Sequence, residues 1–349
     1  MTKPDKERLR NLERAKAELA KQYGREDIIK KASDITVERV STGLISVDEL
    51  MGGGLPKGRW SMIYGGKSCG KTSLSCKIIG EIQKAGGIAT YIDAEHAYDP
   101  VYAASLGVDN KTLNFVEPYT LEEGITAVVK LATMSDIVVL DSIVAVAPEA
   151  EIERAIEQET MALIPKKLSQ FFRICTAPVS KSKAIVLLID QTRTNLGSYI
   201  AVDSFPGGNA LAHYCSLIMH MRRGSPKDDP TEKVDGKDVS IGSRIYIKAE
   251  KTKISATEGK KSFFDLLKKP PHFDTYSDVL NVAETKGLIT HAGAWYYYGE
   301  TKIAQGSNGV LETLRKDDSL FAQLRSDIMT AKSGVIQGES NDGSTKTED

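Results

Sequence analysis

Residues 60–72 of this chain read WSMIYGGKSCGKT, and this stretch decides the fold class. Its first half is a nearly continuous apolar run, which is typical of a strand buried on both faces of a parallel sheet. Its second half, residues 65–72, has the spacing G-x-x-x-x-G-K-T and is followed by the helical segment SLSCKIIGEIQKAG. Glycines in such a loop let backbone N–H groups converge on phosphate oxygens at the start of a helix. The stretch therefore predicts an α/β fold with a phosphate-binding loop.

The same loop carries the side chains that a triphosphate and its metal ion require. Lys71 is placed to reach the β- and γ-phosphates, and the Thr72 hydroxyl is placed to bind Mg²⁺. A glycine-rich surface turn is the alternative interpretation, and the strand before the loop and the helix after it argue against that. The predicted ATP-binding positions in this segment are Gly65, Gly66, Lys67, Ser68, Cys69, Gly70, Lys71, Thr72 and Ser73.

Three further apolar runs end in polar side chains. They are IATYID (88–93), DIVVLD (136–141) and AIVLLID (184–190). The carboxyl ends of parallel strands meet at one edge of a sheet, so we expect the polar groups at these ends to lie beside the phosphate loop.

Each of these strand ends offers a chemical role at a triphosphate. Asp141 is placed to support Mg²⁺, directly or through water. Glu95, just beyond the first run, is placed to orient and deprotonate the water that attacks the γ-phosphate. Gln191 is placed to hydrogen-bond the γ-phosphate and to signal its presence to the chain that follows. The alternatives are a helix-capping role for Asp141 and a helix N-terminal role for Glu95. Their position beside Lys71 favours ATP hydrolysis.

Composition excludes several other classes of protein. The 349 residues carry a formal net charge of −1, so a nucleic-acid-binding surface has to be a local patch. The N-terminus is polar, and no apolar run approaches the roughly 20 residues of a membrane span, so we expect a cytoplasmic protein with no membrane partner. The four cysteines lack metal-type spacing, which favours reduced thiols. Cys69 either replaces a serine or is a redox-sensitive thiol, because a helix N-terminus lowers a thiol pKa.

The pattern divides the chain into four segments. Residues 1–35 contain an amphipathic helix, read within 5–31, that packs on its own domain or on a neighbouring molecule. Residues 36–269 alternate short apolar runs with helical segments and form the predicted α/β core. Residues 270–332 are predicted to form a small C-terminal α+β domain. Residues 333–349 are acidic and poor in apolar side chains, so we predict a disordered tail.

Longer motifs within these segments are specific enough to identify a family. They are STGLISVDELMGGGLPKGRW (41–60), the phosphate loop, YIDAEHAYDPVYAASLGVD (91–109), IVVLDSIVAVAPEAEIE (137–153), PGGNAL (206–211) and GAWYYYG (293–299). Together they resemble the bacterial RecA-type homologous recombinases, from about residue 5 to residue 332. The resemblance implies a RecA-type P-loop ATPase core with a mostly parallel central sheet, an N-terminal helix and a small C-terminal α+β domain. The divergent sequence suits a phage-encoded or atypical member.

For the nucleotide site, the resemblance keeps the roles given above and adds two pairs of residues. Asp99 and Tyr102 lie where the family contacts adenine. Lys251 and Lys253 lie where family members reach the ATP of the adjacent subunit and act like arginine fingers, so hydrolysis would depend on assembly. If the resemblance to the family is set aside, a solvent-exposed basic strand end explains the two lysines equally well.

The resemblance also implies DNA contacts from two loops, around residues 154–166 and across 192–209. Met161 and Leu196 match the apolar residues that the family wedges between bases, where they fill the gap left by unstacking. The implied DNA-binding residues are Met161, Lys166, Arg173, Arg193, Leu196, Gly207, Gly208 and Asn209. From the residues alone, an ordinary mobile loop is the alternative for 192–209.

The implied function is an ATP-dependent homologous DNA recombinase with ATP and Mg²⁺ as cofactors. Such a protein forms helical filaments of itself on single-stranded DNA, samples homologous double-stranded DNA and exchanges strands in recombinational repair. It hydrolyses ATP to ADP and phosphate with stimulation by DNA. Two other classes stay open, a ring-forming ATPase motor or helicase and a nucleotide-binding protein that assembles without strand exchange. The GGNAL loop argues against the first class, and the intact ATPase residues argue against the second.

Overall fold

The computed structural model of the chain describes most of the sequence. The described residues are 5–143, 145–149, 163–194, 203–204 and 208–331, with backbone only at 163–166, 193–194, 203–204 and 208–210. The predicted acidic tail, 333–349, lies outside the described residues. The chain divides into two compact units, Met1–Glu38 and Arg39–Asp349.

The first unit contains one long helix, α1 (Lys6–Tyr23). The helix begins at Asp5, whose side chain accepts a hydrogen bond from the backbone N–H of Glu7 at 3.0 Å. It ends at Gly24, which takes the left-handed conformation that favours glycine, with φ of 62°. The helix is therefore shorter than the 5–31 segment in which the sequence predicts it. None of its residues is buried, and Leu9 and Leu12 are exposed.

The second unit is built on a nine-stranded sheet. The strands of the chain are β1 (Arg39–Val40), β2 (Leu55–Pro56), β3 (Trp60–Gly65), β4 (Ala89–Asp93), β5 (Asn114–Val116), β6 (Ile137–Asp141), β7 (Ile185–Gln191), β8 (Arg193–Thr194), β9 (Asp203–Ser204), β10 (Leu217–Arg223), β11 (Thr231–Val234), β12 (Lys237–Ser240), β13 (Gly242–Thr252), β14 (Lys261–Lys268), β15 (Pro271–Phe273), β16 (Ile289–Ala292), β17 (Trp295–Tyr298) and β18 (Thr301–Gln305). The order in the large sheet is β15-β14-β13-β10-β3-β7-β6-β4-β5. The strands from β10 to β5 are parallel, and β13, β14 and β15 add antiparallel strands at one edge.

This arrangement confirms the mostly parallel central sheet predicted from the apolar runs. Each of the runs that the sequence predicts as buried strands forms a strand here, because apolar side chains on both faces pack against helices. The smaller sheets are the pairs β1-β2, β8-β9 and β11-β12 and the three-stranded β16-β17-β18.

Helices cover both faces of the large sheet. After α1, the chain forms α2 (Ile45–Leu50), α3 (Lys71–Lys84), α4 (Pro100–Ser105), α5 (Leu121–Leu131), α6 (Leu163–Ser182), α7 (Gly208–Tyr214), α8 (Thr275–Thr285), α9 (Gly306–Lys316) and α10 (Asp318–Thr330). One buried apolar cluster joins α2, α3 and α4 to one face of the sheet. A second cluster joins α5, α6 and α7 to the other face, where Trp60 packs edge-on against Phe171 and Phe172. A helix–sheet–helix sandwich of this kind buries the sheet and leaves its strand ends open.

The C-terminal helices form a third apolar cluster with the small sheet β16-β17-β18 and with Ile45 of α2. A hydrogen bond to an ion pair of the large sheet also ties this part to that sheet. Arg244 of β13 forms a two-bond ion pair with Asp265 of β14, at 2.8 and 2.9 Å. The Ser277 hydroxyl of α8 donates to the same carboxylate at 2.6 Å. In the part of the chain that the structure describes, no helix is long and apolar enough to cross a membrane.

Candidate functional site

Four parallel neighbours of the sheet end at one cleft. The strand register places Gly65 of β3 beside Gln191 of β7, and Asp93 of β4 beside Asp141 of β6. The cleft has a volume of about 220 Å³ and is lined by Lys67, Ser68, Cys69, Gly70, Lys71, Thr72, Ser73, Glu95, Asp141 and Gln191. The structure therefore brings the phosphate loop and the strand-end residues together, as expected for the carboxyl edge of a parallel sheet.

Backbone conformation explains why the loop needs its glycines. Gly70, immediately before α3, has φ of 81°, and Ser68 has φ of 56°. Left-handed residues in such a loop turn successive N–H groups toward one concave surface. A Cβ atom at Gly65 would lie 2.0 Å from the carbonyl oxygen of Met221, so only glycine lets β3 and β10 approach this closely. The loop therefore lies between the packed ends of β3 and β10 and the first turn of α3.

Lys71 places a positive charge beneath the loop. The residue is only 8% exposed, and its Nζ donates to the carbonyl oxygens of Gly65 at 3.1 Å and Gly66 at 2.8 Å. None of the ion pairs formed among the described residues involves Lys71. Neutral carbonyls hold the ammonium in place without cancelling its charge, so the charge is available to an anion in the cleft.

Hard oxygen ligands line the same cleft as that ammonium. The Thr72 hydroxyl donates to Oδ2 of Asp141 at 2.7 Å, and the Tyr91 hydroxyl donates to the same oxygen at 2.7 Å. Burial raises the pKa of Asp141, and these two hydrogen bonds act in the opposite direction by stabilising the carboxylate. A hydroxyl and a carboxylate are the ligands that Mg²⁺ prefers, together with water and substrate phosphates. The donor set therefore fits Mg²⁺.

Tyr91 is the residue of this site that the sequence interpretation missed. It lies within the apolar run 88–93 and is only 1% exposed, so it resembles a core residue. The available signal was its hydroxyl, because a buried tyrosine usually finds a hydrogen-bond partner.

Glu95 and Gln191 meet across the mouth of the cleft. Nε2 of Gln191 donates to Oε1 of Glu95 at 3.0 Å. Glu95 lies just beyond β4 and is exposed, whereas Gln191 is the last residue of β7. The contact links the predicted hydrolytic base directly to the predicted γ-phosphate sensor, and both roles stay predictions.

Cys69 is a buried thiol on the inner side of the loop. It is 1% exposed and lies 3.9 Å from Nζ of Lys71. Burial raises the pKa of this thiol, although Lys71 lowers it to a smaller degree. The raised pKa argues against the redox-sensitive alternative for Cys69, and the replacement of a serine is the interpretation that fits.

The residues assigned to adenine and to the neighbouring ATP lie away from the cleft lining. Asp99 caps α4 by accepting from the backbone N–H of Val101 at 2.8 Å. The Tyr102 hydroxyl shares a 2.7 Å hydrogen bond with Ser73, which does line the cleft. Lys251 donates to the carbonyl oxygen of Ala212, and Lys253 donates to that of His213. Burial and the neighbouring Lys251 lower the pKa of Lys253.

The structure describes the predicted DNA-binding residues only in part. Arg173 is exposed on α6, and β8, which contains Arg193, pairs antiparallel with β9. Lys166 lies on α6, and Gly208 and Asn209 begin α7; of the Lys166 and Asn209 side chains nothing is described. Met161, Leu196 and Gly207 lie outside the described residues.

Comparison with known proteins identifies the family. Residues 10–268 match the RecA N-terminal domain, and residues 277–333 match the RecA C-terminal domain. The chain belongs to the RecA family of recombinases. It is 35% identical over 346 residues to Protein RecA of Chloroherpeton thalassium, spanning 97% of this chain and 94% of that protein. It is 34% identical over 330 residues to Protein RecA of Caulobacter vibrioides, spanning 93% of this chain and 90% of that protein.

Among solved structures, the RecA-family chain resembles a RadB recombinase with a TM-score of 0.50 and 19% sequence identity. The match covers 66% of this chain and 98% of that one, and it supports the fold alone. Membership in the RecA family confirms the resemblance found in the sequence. It places the chain among proteins of DNA recombination and repair that bind ATP and DNA.

Proposed function

We propose that this chain is an ATP- and Mg²⁺-dependent homologous recombinase. It forms helical filaments on single-stranded DNA, pairs that strand with a homologous duplex and exchanges strands, and DNA stimulates its hydrolysis of ATP to ADP and phosphate. One observation carries the proposal: in a RecA-family chain, the phosphate loop, Glu95, Asp141 and Gln191 line a single cleft.

Hydrolysis would use the residues of this cleft as follows. The loop N–H groups and Lys71 hold the triphosphate, and Thr72 and Asp141 hold Mg²⁺. An Mg²⁺ ion held by these two residues would supply positive charge that offsets the negative charge of the phosphates. Glu95 orients the attacking water and accepts its proton. The side chain of Glu95 is exposed at the mouth of the cleft, where a water molecule can reach it.

Coupling between ATP and DNA would run through Gln191. This residue ends β7, and two residues later the chain enters β8, whose pairing with β9 lies within the second candidate DNA loop, 192–209. A γ-phosphate in the cleft competes with Glu95 for the Gln191 amide. A change in that hydrogen bond moves the start of the loop, so ATP can switch affinity for DNA.

Assembly would supply the remaining cations. Lys251 and Lys253 contact the end of α7 rather than the cleft of their own chain. In a filament, they would face the ATP of the adjacent copy and stabilise charge that develops on the γ-phosphate. The N-terminal helix, which buries none of its residues, is the proposed docking element between copies.

An ATPase assay with and without single-stranded DNA tests the proposal first. We expect Mg²⁺-dependent phosphate release that rises when DNA is added. Electron microscopy with DNA and a slowly hydrolysed ATP analogue then distinguishes the classes, and we expect helical filaments. Closed rings would favour an ATPase motor. Assemblies without ATPase activity, or without exchange between homologous strands, would favour a regulatory nucleotide-binding protein.

A further inference from the structure

Tyr91 lies beneath the cleft, among apolar side chains. It belongs to β4 and is only 1% exposed. Its ring lies 5.1 Å from the ring of Tyr98 and 6.2 Å from that of Phe115. The ring of Tyr91 therefore packs against other aromatic rings. Its hydroxyl is a buried polar group, which costs free energy unless it forms a hydrogen bond.

The partner of that hydroxyl is Asp141. Tyr91 and Thr72 each donate to Oδ2 of Asp141, and both donor–acceptor distances are 2.7 Å. The two donors come from different elements, Tyr91 from the sheet and Thr72 from α3. Among the described residues, no hydrogen bond is formed to the other oxygen, Oδ1. Two donors on one oxygen fix the rotation of the carboxylate, so Oδ1 is available to a ligand in the cleft.

The two hydrogen-bond donors differ in their relation to the metal ion. The Thr72 hydroxyl oxygen is itself a predicted ligand of Mg²⁺, so a substitution there would remove a ligand as well as the hydrogen bond to Asp141. The Tyr91 hydroxyl lies on the protein side of Asp141 and does not line the cleft. Its hydrogen bond is therefore a contact that can orient Asp141 without itself contributing a ligand to the ion.

We propose that Tyr91 is a positioning residue for the Mg²⁺ site, which acts by holding the Asp141 carboxylate with Oδ1 toward the ion or its waters. Partners of this kind orient metal-binding carboxylates, and their loss typically weakens metal binding by about 10- to 100-fold. The inference rests on the proposed function, because it requires Mg²⁺ and ATP to bind in this cleft.

The test is the substitution Tyr91→Phe, which removes the hydroxyl and keeps the ring. Binding of a fluorescent ATP analogue is measured against Mg²⁺ concentration in the full-length protein. We expect the half-saturating Mg²⁺ concentration to rise on the order of tenfold. Nucleotide affinity in EDTA should stay unchanged. Urea unfolding without Mg²⁺ should show that the variant is still folded, with the modest loss of stability that removing one buried hydrogen bond causes.

Tyr98→Phe is the matched control, because the Tyr98 hydroxyl donates to Asn110 at 2.7 Å and does not contact Asp141. We expect it to leave the Mg²⁺ requirement unchanged. A double-mutant cycle with Asp141→Asn adds a second measurement. Tyr91→Phe should raise the Mg²⁺ requirement much less in that background, because the two residues act as one unit.

Three results would overturn the inference: an unaltered Mg²⁺ requirement in Tyr91→Phe, an equal increase in Tyr98→Phe, or full additivity with Asp141→Asn. Failure of the proposed function has a different signature. In that case, the unsubstituted protein would itself show no Mg²⁺-dependent nucleotide binding.

Discussion

Replacing Glu95 by glutamine isolates the proposed base, because it changes charge and basicity with little change in shape. Oε1 of Glu95 accepts a 3.0 Å hydrogen bond from Gln191, and the carbonyl oxygen of a glutamine can accept the same bond. A positioned general base contributes about 10²- to 10⁴-fold to a rate. At roughly 1.4 kcal/mol per factor of ten, the barrier should rise by about 3 to 5 kcal/mol. We therefore expect kcat to fall by about 10²- to 10⁴-fold in Glu95→Gln.

Binding should respond differently from turnover in this variant. The difference between a charged and a neutral hydrogen bond at an exposed side chain is only about 1 kcal/mol, so ATP affinity should change by less than about tenfold. Phosphate release at saturating ATP and Mg²⁺, together with nucleotide binding, measures both quantities. Glu117→Gln is the control, since that acid pairs with His96 at 3.6 Å and does not line the cleft. If Glu95→Gln hydrolyses ATP within about threefold of the unsubstituted protein, another group is the base.

Three further changes test other parts of the structure. Lys71→Ala removes the buried ammonium, so ATP affinity should fall by about 10- to 100-fold and ATP-dependent binding of single-stranded DNA should be lost. Fluorescence anisotropy measures the DNA binding. Retained strand exchange would contradict the assignment of Lys71 to the phosphate site. Deleting 338–349 removes an acidic segment that competes with phosphates for cations, so duplex DNA should bind more tightly at low salt; equal affinity across a salt series would refute this. Burial raises the pKa of Asp278 to about 6. Because the folded protein binds this proton more tightly than the unfolded chain, the protonated carboxyl stabilises the fold below about pH 4. That stabilisation is lost as the pH rises through about 6. Between pH 4 and 7 this carboxyl should change the free energy of unfolding by roughly 3 kcal/mol, and Asp278→Asn should remove that pH dependence in urea unfolding. Parallel pH profiles for the two proteins would show that Asp278 does not titrate in this range.

The central strands could be predicted from the sequence because each is a short apolar run buried on both faces. Other elements carry no such signal. The hairpin of β11 and β12 is exposed along its whole length, so its composition does not differ from that of a loop. The end of α1 depends on one residue, Gly24, which stops a helix whose charged pattern continues beyond it.

In the candidate site, too, some residues could be predicted from the sequence and others could not. Glu95, Asp141 and Gln191 could be expected at one edge because they follow parallel strands, and chain connectivity alone places them there. The Tyr91 hydroxyl could not, because Tyr91 lies inside an apolar run and not at its end, where it resembles a core residue. The pKa direction of Cys69 was also beyond reach, since helix N-termini and burial shift a thiol in opposite directions and only the packing shows which effect is larger.

The contacts of α8 bear on how this protein can be divided into fragments. Asp278 accepts hydrogen bonds from the backbone N–H groups of Ile45 at 2.6 Å and Ser46 at 3.2 Å, at the start of α2. A polypeptide cut at the predicted boundary after residue 269 would lose this carboxylate and expose the apolar side chain of Ile45. Anyone expressing the ATPase portion by itself should therefore retain α8, or substitute a new acceptor for those amides.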